Sequence, residues 1–154
     1  MPENSPSSPS AAAIACGTLR LLTDYGASGL YEVTLGNGRR ADVLAIDASG
    51  QITIVEIKSS VNDFKSDQKW PEYLPYCDRF YFAVSEDFPA DLIPDNAGLI
   101  IADQFGGAIM RSAPETKLSP ARRRSLTLRF ARLAANRFNQ QSQMRILDSG
   151  PYAA

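Results

Sequence analysis

Two aliphatic stretches separated by a short turn dominate the pattern of hydrophobic positions along the chain. Residues 40–47 and 51–58 are both rich in β-branched and aliphatic side chains, a composition typical of strands. Ala48, Ser49 and Gly50 lie between them and have the composition of a turn. The pattern therefore predicts two antiparallel strands joined as a hairpin.

The register of this hairpin decides which side chains meet. A three-residue loop with Gly50 in the left-handed conformation is one common solution. Counting inward from that loop places Asp42 opposite Glu56, on the same sheet face and about 5 Å apart. Lys58 follows Glu56 by two residues and points to that face as well. A four-residue loop would instead set Asp42 against Val55 and separate the two acids.

The rest of the chain alternates between helix-like and strand-like patterns, without an internal repeat. The order predicts an α/β domain, a mixed β-sheet flanked by helices with an αβββαβ core and a C-terminal hairpin and helix. The further predicted elements are helix 11–25, strand 30–35, helix 60–77 with a break or restart at Pro71, strand 78–84, a short helix 88–93, strands 97–103 and 106–112 as a hairpin, and a long helix opened by Ser119 and Pro120 that ends near Asn139.

Length and composition predict one domain, residues 11–140. Residues 1–10 are rich in Pro and Ser and are expected to be disordered, and residues 141–154 are expected to form a frayed tail. No apolar run approaches the roughly 18 residues of a membrane span, and no secretory signal pattern is present. The two cysteines are too few for a disulfide framework. We therefore expect a cytoplasmic protein that does not enter a membrane.

Two carboxylates facing each other on a hairpin repel unless something lies between them. At roughly 4 Å and an effective dielectric of about 20, the repulsion is about 4 kcal/mol. A divalent cation removes it, and carboxylate oxygens in a chain without histidine favour Mg²⁺ or Mn²⁺. Lys58 would then orient a water molecule or stabilise charge on a phosphate. The alternative is a solvated sheet edge, with Lys58 as a cross-strand partner.

Glu32 is a candidate third acid on the preceding strand, which is followed by Gly36, Asn37 and Gly38. A three-residue loop at that point places Glu32 opposite Asp42. A two-residue turn of Asn37 and Gly38 places Glu32 on the other face of the sheet. The sequence leaves both arrangements open.

Charge is distributed unevenly, although the net charge is only −1. Twelve of the seventeen acidic residues lie within 42–103, whereas 117–145 contains eight basic residues and no acid. On a wheel of about 100° per residue, Arg122, Arg129 and Arg132 fall within roughly 80° of arc among mostly apolar positions. We expect a largely buried helix with one basic stripe. The stripe would contact a phosphate backbone without base preference, or pair with the acid-rich half.

The placement of Asp42 on the second strand and of the run from Glu56 to Lys58 on the third resembles the PD-(D/E)XK nuclease superfamily. Ala41 stands where the superfamily signature has proline. Longer stretches narrow the resemblance to the MmcB family of DNA-repair proteins, over about residues 11–138. These stretches are 38–42, 55–60, 63–64, 69–73, 76–84 and 122–135.

That resemblance implies a bacterial, DNA-directed protein with a restriction-endonuclease-like mixed β-sheet flanked by helices. It implies that Asp42, Glu56 and the Ile57 carbonyl hold the metal ion. Lys58 would be the catalytic lysine.

Five further residues are candidates for the same site. Gln68 and Tyr73 look like the pair that several superfamily members place beside the metal or the DNA, although Tyr73 is alternatively a core residue. Lys69 would stand near the start of the helical wall, where an ordinary surface position is the other interpretation. Arg39 and Arg40 lead into the second strand and would reach a phosphate; for Arg40, pairing with a neighbouring acid is the alternative.

Two functions remain open on the sequence. The first is a DNA-repair endonuclease that hydrolyses phosphodiester bonds with Mg²⁺ or Mn²⁺. The second is a nuclease-fold module that binds damaged or branched DNA, or a repair partner, without cutting. The joint presence of two acids and a lysine favours the first. Superfamily members often form homodimers, but nothing in the sequence marks an interface.

Overall fold

The computed structural model describes residues 7–150; the disorder expected at residues 1–6 and the fraying expected at 151–154 lie outside the described residues. The described chain begins its first helix after Ser10, whose hydroxyl caps it by accepting from the Ala13 amide. The elements are α1 (Ala11–Asp24), β1 (Ala27–Thr34), β2 (Arg40–Asp47), β3 (Ile52–Ile57), α2 (Val61–Ser66), a 3₁₀ helix (Trp70–Tyr76), β4 (Arg79–Val84), a 3₁₀ turn (Ala90–Leu92), β5 (Gly98–Asp103), β6 (Gly106–Arg111) and α3 (Pro120–Ser149).

The strands form one sheet in the order β1-β2-β3-β4-β5-β6. The β3–β4 and β4–β5 pairs are parallel, and the other neighbours are antiparallel. The parallel step from β3 to β4 needs a crossover, which α2 and the 3₁₀ helix provide. The predicted mixed sheet flanked by helices is therefore confirmed.

Both N-terminal hairpins turn through three residues and end on a left-handed glycine. Gly50 has φ +84°, and the Asp47 amide donates to the Gln51 carbonyl at 3.1 Å. Val43 consequently pairs with Val55, as the three-residue loop requires. The β1–β2 turn likewise ends on Gly38, at φ +83°. Glycine is favoured at both positions because it adopts a positive φ without steric cost.

An aromatic layer fills one face of the sheet, beneath α2 and the 3₁₀ helix. Phe82 is fully buried and makes edge-to-face contacts with Phe64, Trp70 and Phe80, at centroid distances of 5.1–5.6 Å. Such pairs add to the free energy gained from burial alone. The opposite face packs against α1, where a Cβ on Gly17 would lie 1.8 Å from the Asp103 carbonyl oxygen. Glycine inside α1 thus permits a close approach to the sheet.

Two helix predictions need correction. The helix predicted over 60–77, with a break or restart at Pro71, is interrupted earlier: α2 ends at Ser66, and Pro71 lies in the first turn of a separate 3₁₀ helix. The last helix does not end near Asn139 but continues to Ser149. It is also mostly exposed, with only Leu126 buried, because a helix lying on the outside of the domain needs only a narrow apolar stripe.

None of the described helices combines the length and apolar character needed to span a bilayer.

The buried carboxylate of Asp78 ties the β2–β3 hairpin to α3. It accepts from the Ile52 and Leu118 amides at 2.7 and 3.0 Å, and Arg123 donates to both of its oxygens. Arg123 also donates to the Gly50 carbonyl at 2.6 Å. Although burial acts in the opposite direction, these hydrogen bonds and the Arg123 charge lower the pKa of Asp78 to about 2.

We expect Asp78→Asn to lower the free energy of unfolding by about 2 kcal/mol at pH 7, as measured by urea denaturation. The folded pKa lies below the unfolded value of 3.8, so this stabilisation is complete above about pH 4 and is lost as pH falls toward 2. The matched control is Asp91→Asn at an exposed position, which should change stability by less than about 0.5 kcal/mol. Equal stability of the two variants at pH 7 would contradict the account.

Candidate functional site

The β2–β3 register brings Asp42 and Glu56 together at one end of the sheet. The Ile57 amide donates to Asp42 Oδ2 at 2.7 Å, and the Asp42 amide donates to Glu56 Oε1 at 3.2 Å. Each carboxylate therefore accepts a backbone hydrogen bond from the opposite strand. The face on which they lie is apolar closer to the turn, where Leu44, Ile52 and Ile54 are buried.

Burial and mutual repulsion disfavour the charged forms of both acids. Glu56 is only 5% exposed, and burial together with the Asp42 charge raises its pKa to about 8. Burial also raises the pKa of Asp42, although the hydrogen bond from the Ile57 amide lowers it in part. At neutral pH the pair thus retains a proton that a bound cation would displace.

Lys58 lies at the end of β3 with its side chain only 5% exposed. Its Nζ is 3.4 Å from Asp67 Oδ2 and 4.0 Å from Asp63 Oδ1. Although burial acts in the opposite direction, the Lys69 amide and the Lys58 charge lower the pKa of Asp67. A buried ammonium requires such counter-charges, which Asp63 of α2 and Asp67, the residue after α2, supply.

These groups line a cavity of about 780 Å³ at the rim of the sheet. The alanines of the first turns of α1 form one wall, and their small side chains leave the cavity open. Its lining includes Glu32, Arg40, Asp42, Glu56, Ile57, Lys58, Asp63, Asp67 and Tyr73.

The position of Glu32 follows from the three-residue β1–β2 turn. Thr34 pairs with Arg40 and Tyr31 with Val43, so Glu32 lies opposite Asp42, the first of the two arrangements that the sequence allowed. Its carboxylate pairs with Arg40 at 2.6 Å. Its φ of +55° is in the left-handed region, which costs a residue with a side chain about 1–2 kcal/mol.

The structure separates Tyr73 from Gln68. Tyr73 is buried, lines the cavity and donates from its hydroxyl to the Arg40 carbonyl at 3.1 Å, so it is both a core and a cavity residue. Burial and the nearby Glu56 charge raise its pKa. Gln68 follows the end of α2, where its side-chain amide donates to the Phe64 carbonyl at 2.9 Å. It does not line the cavity.

Two arginines of the predicted basic stripe on α3 make contacts within the domain. The Arg122 guanidinium lies 4.2 Å from the centroid of the Tyr76 ring, and Arg129 donates to the Thr34 carbonyl at 2.8 Å. Arg132 is exposed. Arg122 thus contacts the 3₁₀ helix, whereas Arg129 remains exposed while it binds the edge strand β1.

The remaining predicted contacts lie near the cavity rim. Arg39 forms an ion pair with Glu72, which also raises the pKa of Arg39, and Arg40 forms the ion pair with Glu32. Lys69 is exposed beside the start of the 3₁₀ helix. Arg40 therefore adopts the pairing with an acid that the sequence allowed as one alternative, and Arg39 forms an ion pair that the sequence did not predict.

Asp63 and Asp67 were missed as site residues. The sequence does contain a signal for them, because Lys58 lies on an otherwise apolar face and needs nearby acids. Asp63 and Asp67 follow Lys58 closely in the chain and are four residues apart, a spacing that places them on one side of a helix. Their position beside Lys58 depends on the path of the chain after β3, which the sequence pattern did not define.

The chemistry of the donors fits a hard divalent cation. Asp42, Glu56 and the Ile57 carbonyl offer oxygen atoms only, the ligands that Mg²⁺ and Mn²⁺ prefer. Within residues 7–150, no group of three or more His, Cys, Asp or Glu side chains is arranged to hold a metal ion. The fit therefore rests on two carboxylates and a carbonyl, and a third carboxylate would need to move toward them.

The raised pKa of Glu56 makes stability fall as pH rises. Between about pH 5 and pH 8 the folded chain retains a proton that the unfolded chain has lost, so each step up in pH favours unfolding. In EDTA, Glu56→Gln should therefore exceed the wild type in free energy of unfolding by on the order of 2–4 kcal/mol at pH 8 and by much less at pH 5. Urea denaturation at both pH values measures the difference.

The matched control is Glu86→Gln at an exposed position. It should leave the pH dependence of the wild type unchanged. A Glu56→Gln variant that is equally destabilised at both pH values would refute the buried, protonated state of Glu56.

Comparison with known proteins assigns the chain to a family. A family model described as "DNA repair protein MmcB-like" matches residues 2–145. A solved structure, that of the SPO1766 protein of unknown function from Silicibacter pomeroyi, is 40% identical, covers 92% of this chain and 96% of its own, and superposes with a TM-score of 0.83. No curated protein matches the chain. The protein described here is therefore a member of the MmcB-like family of DNA repair proteins.

Proposed function

We propose that this DNA-repair protein hydrolyses DNA phosphodiester bonds at the rim cavity with Mg²⁺ or Mn²⁺, as a PD-(D/E)XK nuclease. The observation that carries the proposal is the juxtaposition of two facing carboxylates and one buried lysine in a single cavity. Membership of a DNA-repair family supports DNA as the substrate.

The chain's own residues divide the chemistry between them. Asp42, Glu56 and the Ile57 carbonyl would hold the cation, which, when bound, supplies Lewis acidity and lowers the pKa of a bound water. Lys58 lies two residues beyond Glu56 with its ammonium in the cavity, so it would stabilise the charge that develops on the phosphate. Asp63 and Asp67 hold that ammonium in place before substrate binds.

Basic side chains around an acidic cavity would guide a polyanion toward it. Arg39, Arg40 and Lys69 lie at or near the rim and would contact phosphates on either side of the reacting bond. The exposed Arg132 would extend this contact along α3, whereas Arg122 and Arg129 are engaged within the domain. Such contacts carry no base preference, so we propose binding that is independent of sequence and sensitive to salt.

A non-cleaving DNA-binding module is the second candidate. The observation in its favour is that Asp42 and Glu56 already accept backbone hydrogen bonds. Because the pKa of Glu56 is raised to about 8, Glu56 is protonated at neutral pH, and no cation is needed to remove the repulsion between the two side chains. This candidate predicts binding of branched or damaged DNA that is indifferent to Glu56→Gln.

Cleavage of linear, nicked, flapped and branched DNA with Mn²⁺ distinguishes the two candidates. We expect cleavage by the wild type, a loss of about a hundredfold or more in Lys58→Ala, and a comparable loss in Asp42→Asn. The reason is that Lys58 stabilises the reacting phosphate, whereas Asp42 holds the cation. Initial rates of product formation on a labelled substrate measure both losses.

The matched control for Lys58 is Lys117→Ala. Lys117 is exposed and follows Thr116, whose amide donates to the Asp78 carbonyl beside the opposite end of β3. This variant should cleave at about the wild-type rate. Intact DNA after incubation with wild-type protein and Mn²⁺, together with a salt-sensitive shift of branched DNA, would replace the nuclease by the binding module.

A further inference from the structure

One wall of the cavity is built on a backbone conformation that residues with side chains rarely adopt. Glu32 has φ +55°, the one positive φ outside glycine in residues 7–150. It lies on β1 directly opposite Asp42, and its side chain lines the cavity. Such a conformation persists only when the surrounding structure holds it, and it occurs often at functional sites.

The group that holds this conformation comes from α3. Arg137 donates from Nη1 to the Tyr31 carbonyl at 2.5 Å and from Nη2 to the Glu32 carbonyl at 2.9 Å. Successive carbonyls of a regular strand point to opposite sides of it. One planar guanidinium can therefore reach both only because the backbone turns at Glu32.

Arg129, the other arginine of α3 that binds β1, does not contact the left-handed residue. Arg129 donates to a single carbonyl, that of Thr34, at 2.8 Å. Thr34 pairs regularly with Arg40 in the β1–β2 ladder. Arg129 and Arg137 thus both bind carbonyls of the β1 edge, but only Arg137 binds at the left-handed residue.

We propose that Arg137 is a positioning residue of the cavity, which fixes the Tyr31–Glu32 backbone so that the Glu32 carboxylate faces Asp42 and joins the carboxylates that bind the divalent cation. The proposal rests on the function proposed above. It explains how a third acid becomes available where Asp42 and Glu56 alone offer two carboxylates. Arg40 pairs with the Glu32 carboxylate, and both residues line this cavity.

The test is the dissociation constant for Mn²⁺, measured by isothermal titration calorimetry without DNA. We expect Arg137→Ala to weaken binding by about tenfold, the usual effect of removing a group that orients a ligand. Arg137→Lys should weaken it nearly as much, because one ammonium cannot span both carbonyls. The matched control, Arg129→Ala, removes an arginine from the same strand edge and should change the constant by less than about twofold.

A double-mutant cycle separates positioning from general stabilisation. Glu32→Gln alone should weaken Mn²⁺ binding by about tenfold, and adding Arg137→Ala should weaken it by less than about twofold more. Arg137→Ala with wild-type affinity, or with a full tenfold effect in the Glu32→Gln background, would overturn the proposal. If Arg137→Ala does not fold, Arg137→Lys takes its place in the cycle.

The controls distinguish this inference from the function on which it rests. A wild type that binds no Mn²⁺ would overturn both. If the wild type binds Mn²⁺ and Asp42→Asn does not, the cation site is supported. If Arg137→Ala and Arg137→Lys then bind Mn²⁺ as tightly as the wild type, Arg137 has no positioning role.

Discussion

The pairing register of β2 with β3 is the constraint on which the cavity depends. Gly50, in the left-handed conformation, closes a three-residue turn, and the number of residues in this turn sets Asp42 opposite Glu56. A shift of one residue would turn either acid to the opposite face, which packs against α1. Because the pair is buried, ionising both carboxylates is unfavourable. The raised pKa of Glu56 reflects the free-energy cost of that ionisation.

The rest of the domain is arranged so that this unfavourable pair stays in place. Asp78 and Arg123 tie the turn of the hairpin to β4 and α3, at the end of the sheet opposite the cavity. The aromatic layer around Phe82 packs α2 and the 3₁₀ helix against the sheet, and these segments carry Asp67 and Tyr73 into the cavity. The stability of the core thus offsets the cost of the site, as is common where function requires buried charge.

The sequence predicted the hairpin and its facing acids because turn composition and a period of two are local signals. It also predicted the order of elements and a helical restart at Pro71, although α2 ends before that residue, at Ser66. It did not predict the exposure of α3, since the apolar wheel positions and the arginines gave no indication that the arginines bind the edge of β1. Glycine is unfavourable inside a helix, but the structure shows that Gly17 lets α1 approach Asp103 closely. The counter-charges of Lys58 and the turned backbone at Glu32 depend on long-range packing, which no local pattern encodes.

The facing carboxylates of β2 and β3 are proposed to form a site for a hard divalent cation. Crystals soaked in Mn²⁺ and measured near the manganese absorption edge test it most directly, since the anomalous signal locates the ion without reference to activity. We expect an anomalous peak within about 2.0–2.3 Å of carboxylate oxygens of both Asp42 and Glu56. A well-ordered cavity without such a peak, or Mn²⁺ bound only elsewhere on the protein, would contradict it.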